Sequence, residues 1–152
     1  MRTTTRCLIK PAPMKRSQKN IMLHQLVDQV TQNLMPRIVE QKSLMVNDLH
    51  KEMLVTTNEE ILTTVLRNLL NTIVTHSQNN CIRISAKIFG NIVLLHVKDS
   101  DNRHEEAIAG SLIQVAPLAE KIGGCITLNN YTAKGTTVAF SFYNNEQKAY
   151  IS

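Results

Sequence analysis

Eight apolar side chains gather on one side of the segment that follows Asn58: Ile61, Leu62, Val65, Leu66, Leu69, Leu70, Ile73 and Val74. At 3.6 residues per turn these positions form one wide stripe along a helix, and a stripe that wide must be covered by another layer. Asn58 stands where an N-cap is needed, and Glu59 and Glu60 fall in the first turn, where the helix dipole favours acids. The helix is predicted to run to about His76. The period then changes. Cys81 to Ile88 alternates with period two, Gly90-Asn91 supplies a turn, and Ile92 to Val97 returns as the second strand of a hairpin. A broad apolar helix beside a one-faced hairpin points to helices packed on a sheet.

The flanking segments extend this pattern. Leu23, Leu26, Val27, Val30, Leu34, Ile38 and Val39 predict an amphipathic helix over 21–43, which Pro36 should kink or end. Leu44 to Leu49 and Met53 to Val55 read as short strands. A third helix is predicted over about 104–122, stopped by Gly123-Gly124, although Pro117 falls inside it. Strands near 125–130 and 136–143, joined by a turn at Lys134-Gly135, end the ordered part. The expected class is α+β, a two-layer sandwich of a mixed β-sheet with helices on one face. The expected organisation is a basic flexible tail over 1–20, one domain over 21–145 and a C-terminal tail over 146–152. With 152 residues, one domain is the natural count.

Charge separates the tail from the domain. The chain carries a net +5, yet residues 1–20 alone hold six basic side chains and no acid, leaving eleven basic and twelve acidic side chains for the rest. The basicity belongs to the tail, and the domain is close to neutral. With six aromatic residues and no Trp, a base-stacking platform is poorly supplied, so nucleic acid is not the expected partner. Cys7, Cys81 and Cys125 are an odd number at wide spacing, which excludes a disulfide framework and a C-x-x-C zinc site and points to reduced thiols in a cytosol. No window approaches the length of a membrane span, and the charged first 20 residues lead to the expectation that they are not a secretory signal.

Four stretches resemble, in order, the ATP-binding domain of sensor histidine kinases, the GHKL or Bergerat-fold family. NEEILTTVLRNLL from Asn58 to Leu70 is similar to the opening of the family's N box. NIVLLHVKD from Asn91 to Asp99 is similar to the strand that ends in the adenine-reading Asp. LAEKIGG from Leu118 to Gly124 resembles the end of the helix after the second glycine box, and KGTTVAF from Lys134 to Phe140 resembles the start of the last strand. Residues 21–57 fit the same domain's first helix and strand. In active members, the resemblance implies ATP bound between the N-box helix and a mobile lid. An Asn carbonyl helps hold Mg²⁺, an Asp accepts the adenine amino group, and glycines admit backbone close to the nucleotide.

Most of these parts are changed here. The family's Asn-Leu-x-x-Asn-Ala reads Asn68-Leu69-Leu70-Asn71-Thr72-Ile73, so Thr72 stands at the metal-binding position. Asn71 is adjacent but rotated by about 100°, and should face elsewhere. Ile73 replaces a small residue, and Thr75 the following Lys. The Asp-x-Gly-x-Gly box reads Asp99-Ser100-Asp101-Asn102-Arg103, keeping the Asp and losing both glycines. AIAGSL, Ala107 to Leu112, stands at the second glycine box with Gly110 alone, and only five residues separate Asp101 from Ala107, leaving no room for a lid. Loss of a metal ligand, of backbone approach and of the lid each removes on the order of 1–3 kcal/mol. Micromolar binding is about −8 kcal/mol in total, so little would remain.

The vestigial nucleotide site is therefore Asn68, Thr72 and Asp99, with no catalytic residue and no metal ligand set. No cofactor is expected, or ATP with Mg²⁺ if that site functions. His104-Glu105-Glu106 has the His and acid of a phosphoacceptor but no following Pro and no helical hairpin to carry it. His24, His50, His76 and His96 read as packing or surface residues, and Asp99 with Asp101 as loop structure. No zinc spacing and no Gly-x-Ser-x-Gly nucleophile motif is present. The expectation is a cytoplasmic two-component signalling module, a pseudo-ATPase that binds a protein partner such as a histidine kinase or response regulator. The alternatives are a functional ATP-binding kinase component with an atypical lid-less site, and a nucleic-acid-binding protein using the basic tail.

Overall fold

The computed structural model describes residues 18–100, 105–129 and 135–145. The basic tail through residue 17, Asp101 to His104, the turn before Gly135 and the segment 146–152 lie outside these residues. In chain order the elements are β1 (Gln18–Met22), α1 (Leu23–Glu40), β2 (Leu44–Asn47), β3 (Leu54–Asn58) and α2 (Glu59–Thr75). They continue as β4 (Cys81–Phe89), β5 (Ile92–Ser100), α3 (Glu105–Leu112), α4 (Ala116–Glu120), β6 (Cys125–Asn129) and β7 (Gly135–Tyr143).

The main sheet has five strands in the order β2-β4-β5-β7-β6. β2 runs parallel to β4, and every other neighbour is antiparallel, so the sheet is mixed. Its inner face is set by alternation: Val93, Leu95, Val97 and Asp99 of β5, with Thr136, Val138, Phe140 and Phe142 of β7, are buried. Against this face lie the stripe of α2, from Leu62 to Val74, and the buried side of α1. This is the expected two-layer α+β sandwich. Burial of these apolar faces at about 25 cal/mol per Å² is the main favourable term.

α2 begins as predicted. Asn58 is extended at φ −77°, and its carboxamide oxygen accepts from the Ile61 N–H at 3.0 Å. At the other end Gln41, the C-cap of α1, donates its carboxamide to the Val74 and Thr75 carbonyls at 3.3 and 2.7 Å. One helix's end thus satisfies orphan carbonyls of the other.

Several boundaries differ from the sequence reading. Gln18 to Met22 form a strand, paired antiparallel with β3, where a tail and then a helix are expected. Helix α1 starts only at Leu23, whose N–H donates to the Met53 carbonyl at 3.2 Å, and the N-cap residue Met22 makes no side-chain capping bond. Pro36 does not end α1, which continues to Glu40. Pro36 and Gln32, whose carbonyl loses its helical donor to the ring, are both exposed residues. The third predicted helix is two, α3 and α4, with turns at 113–115 between them. Ile108, Leu112, Val115, Ala119 and Ile122 are all buried, so one apolar period spans the break. Pro117 is at the start of α4, where its missing N–H costs nothing.

The small sheet is tied to the large one by Asn144. Its side-chain oxygen accepts from the Thr56 N–H at 2.8 Å, and its own N–H donates to the Asn91 carbonyl at 2.8 Å. Among the described residues no helix is long and apolar enough to cross a membrane.

Candidate functional site

Asp99 is near the end of β5, on the face turned to the helices, and is 1% exposed. Its neighbours in register are Ile82 on β4 and Thr136 on β7, and both are buried. A carboxylate in such a place is costly unless hydrogen-bonded. Ser77 supplies a bond: its hydroxyl donates to Asp99 Oδ1 at 3.3 Å.

The position of Ser77 comes from two helix ends. α1 finishes with Lys42 in the left-handed region at φ 58°. Ser43 N–H returns to the Ile38 carbonyl at 3.1 Å and Lys42 N–H to the Val39 carbonyl at 3.0 Å, the two bonds of a Schellman ending. This ending aims Ser43 at the loop after α2. Ser43 Oγ is 3.2 Å from Ser77 Oγ and accepts from the Asn80 N–H at 3.4 Å. Since the Ser77 proton is committed to Asp99, the Ser43 hydroxyl donates to Ser77. The donors therefore run in one direction, from Asn80 N–H through Ser43 and Ser77 to the carboxylate. Backbone bonds from Asn79 N–H to the Gln41 carbonyl at 3.1 Å and from Leu44 N–H to the Asn80 carbonyl at 2.9 Å stitch the same two segments.

The relay makes a testable prediction. Ser77→Ala removes a donor from a buried carboxylate and should cost about 1–2 kcal/mol of stability. Urea midpoints measure it; a midpoint equal to that of the parent would show that Asp99 does not depend on this hydroxyl.

The other two predicted site residues are on α2, one turn apart. Asn68 is exposed and Thr72 is half-buried. Solvent reaches both, whereas Asp99 is buried. Asn71, as expected from its rotation, faces away: it lines an open cleft of 590 Å³ between α1 and α2 with Asn33, Pro36, Arg37 and Glu40. Ile73 is 1% exposed and belongs to the core. Gly110 lies in α3, and a Cβ built on it would meet nothing within 4 Å, so packing does not require a glycine there. Only residues 101–104 connect β5 to α3, which keeps that connection short. Among the described residues no group of three or more His, Cys, Asp or Glu side chains is arranged to hold a metal ion. Sequence reasoning did not single out Ser43 or Ser77, because no local motif marks a serine whose partner is 22 or 34 residues away.

No family profile matches the sequence, and no curated protein matches it. Solved structures do. The histidine kinase AdeS of Acinetobacter baumannii superposes with a TM-score of 0.73 at 17% identity, over 85% of this chain and 68% of that one. The catalytic domain of histidine kinase ThkA gives 0.67 at 19% identity, over 84% of this chain and 95% of that one. The mycobacterial sensor histidine kinase MprB gives 0.68 at 12% identity, over 86% and 99%. The fold is that of histidine kinase catalytic domains.

Proposed function

We propose that the chain is a two-component-type signalling module of the cytoplasm that keeps the histidine kinase ATPase fold, has lost the use of ATP, and acts by binding a protein partner. The observation that carries this reading is the state of Asp99. The one residue retained from the adenine-reading box is 1% exposed and takes a hydrogen bond from Ser77. Thr72 supports it, since a hydroxyl stands where the family resemblance puts a carboxamide oxygen for Mg²⁺. So do the absent glycines after Asp99 and the short connection to α3. Candidate partners are a histidine kinase or a response regulator. ThkA, which shares the fold, has been solved in complex with the response regulator TrrA.

The test is calorimetric titration with ATP, with and without Mg²⁺. Binding should be no tighter than roughly millimolar, about −4 kcal/mol. Thr72→Asn alone should not change that, because it restores neither space at Ile73 nor a lid. Micromolar binding of Mg·ATP by the unmodified chain would replace this reading with the second one, a functional ATP-binding kinase component with an atypical lid-less site. The related structure of full-length ShkA in complex with AMPPNP, with a TM-score of 0.68 at 16% identity, is the precedent for that outcome; the match covers 86% of this chain and about a third of ShkA (32%).

A further inference from the structure

Strand β4 is paired on both sides only in its first half. β5 pairs it from Ile82 to Phe89, whereas β2 pairs it from Cys81 to Ile84 and then ends. The last bond on the β2 side runs from the Asp48 N–H to the Ile84 carbonyl at 2.8 Å. In a strand, the N–H and C=O of one residue point to the same edge, and so do those two residues on. The backbone groups of Ala86 and Ile88 therefore face the open edge beyond β2. Among the described residues none of these four groups has a hydrogen-bond partner.

That edge borders an open cleft of 630 Å³, lined by Ala86 to Phe89 from β4 and by Met53 and Leu54 from the start of β3. β3 has the same kind of free edge. The Thr56 N–H bonds the Asn144 side chain and the Thr56 carbonyl the Asn145 N–H, so both groups point away from β1. Alternation puts the N–H and C=O of Leu54 on that side as well. The protein itself shows what bridges this gap. Asn145 N–H donates to the Thr56 carbonyl at 2.7 Å, and Asn144 N–H to the Asn91 carbonyl at 2.8 Å. Thr56 is two residues from Leu54, and Asn91 is two from Phe89. The gap between the small sheet and the large one is thus bridged by backbone at one end and open at the other.

We propose that this cleft takes an extended segment of a partner protein, about four residues long, which adds to the Ala86–Phe89 edge as a further strand. Unpaired N–H and C=O groups at strand spacing are matched by another extended backbone. A helix does not match them, because its own backbone groups are already bonded. The segment's side chains on the core side are apolar, since Ala86 and Met53 pack against the hydrophobic core. Lys87 and Glu52 both line the cleft, so it offers both signs and selects no net charge. A second copy of β4 fits less well. Pairing Ala86 with Ile88 of the copy would set Lys87 against itself, and like charges directly opposite are destabilising. This inference rests on the protein-binding reading above and names the form of the partner segment.

The test titrates the full chain, labelled with ¹⁵N, with a blocked seven-residue peptide of alternating threonine and valine. Two further versions are methylated on the backbone nitrogens of the valines or of the threonines. The parent peptide should slow hydrogen exchange of the Ala86 and Ile88 amides at least tenfold. At least one methylated version should bind at least tenfold more weakly, because it lacks the donors that face β4. Ile88→Pro removes a donor of the chain at an edge where no ladder bond is lost, so it should weaken binding at least tenfold with the thermal melt retained. If that variant does not fold, the methylated peptides decide. Equal binding of the three peptides, or no slowing of these amides at millimolar peptide, would overturn the proposal. Protection of the same amides that rises with protein concentration and needs no peptide would assign the edge to a second copy and overturn it too. So would a free peptide of residues 146–152 binding there in place of the alternating one. Adding Mg·ATP to the same sample separates the two readings. ATP binding with peptide docking intact would end the pseudo-ATPase reading and keep this edge. No ATP binding and no docking would sink the edge alone.

Discussion

Leu66→Ala and Leu70→Ala should each lower stability by about 2–5 kcal/mol, the range for a buried leucine that leaves a cavity behind. Both side chains are fully buried, on the side of α2 turned to the sheet. The packed interior around them does not collapse freely, so the lost contacts are not recovered. Arg67, between them in sequence, is exposed and lines an open cleft near the start of the helix. Arg67→Ala should stay within about 0.5 kcal/mol of the parent, as surface substitutions usually do. Urea midpoints of the three variants are the measurement. A small loss at Leu66 and Leu70 together with a large one at Arg67 would mean that α2 presents a different face to the sheet.

Gly124→Ala should cost about 3 kcal/mol, near the top of the usual overpacking range. A Cβ there would stand 2.6 Å from the Ser141 carbonyl oxygen and 2.9 Å from that of Ala119. Both obstacles are backbone, one on β7 and one at the end of α4, and neither yields without moving an element. The same change at Gly110 should have the opposite sign. No atom lies within 4 Å of a Cβ at that position, so Gly110→Ala removes backbone freedom from the unfolded chain without a clash, a gain of about 0.5–1 kcal/mol. Thermal melts of the pair give the answer directly. Two losses of similar size would show that α3 packs closer to its surroundings than the structure has it.

The fold was legible where a periodicity was long and bounded. The stripe from Ile61 to Val74 and the alternation from Cys81 to Ile88 each repeat enough times to define a face, and both elements stand where the pattern puts them. The first strand was not legible, because Gln18 to Met22 passes into α1 with no turn residue. Its pairing is decided by β3, more than thirty positions away in the chain. The helix predicted over 104–122 divides because an apolar period survives a turn unchanged when the two pieces pack on the same surface. At the site, the resemblance located Asp99, but what the carboxylate does depends on Ser77 and Ser43. Those contacts arise from a Schellman ending on one helix and a loop after another, and neither leaves a mark near Asp99 in the sequence.

The arrangement β2-β4-β5 also sets an order of events for a chain emerging from the ribosome. β4 and β5 are joined by a two-residue turn and can zip as soon as both have left the exit tunnel, within microseconds. β2 leaves first and has no partner until β4 follows, after the whole of β3 and α2. Closing that long loop is entropically slow compared with a hairpin. The sequence Leu44-Met45-Val46-Asn47, a strand in the folded protein, is uncharged and free of proline, the kind of segment that pairs with a neighbouring nascent chain. Lys42 and Asp48, just outside the strand at either end, are the charges nearest to hand to discourage that pairing.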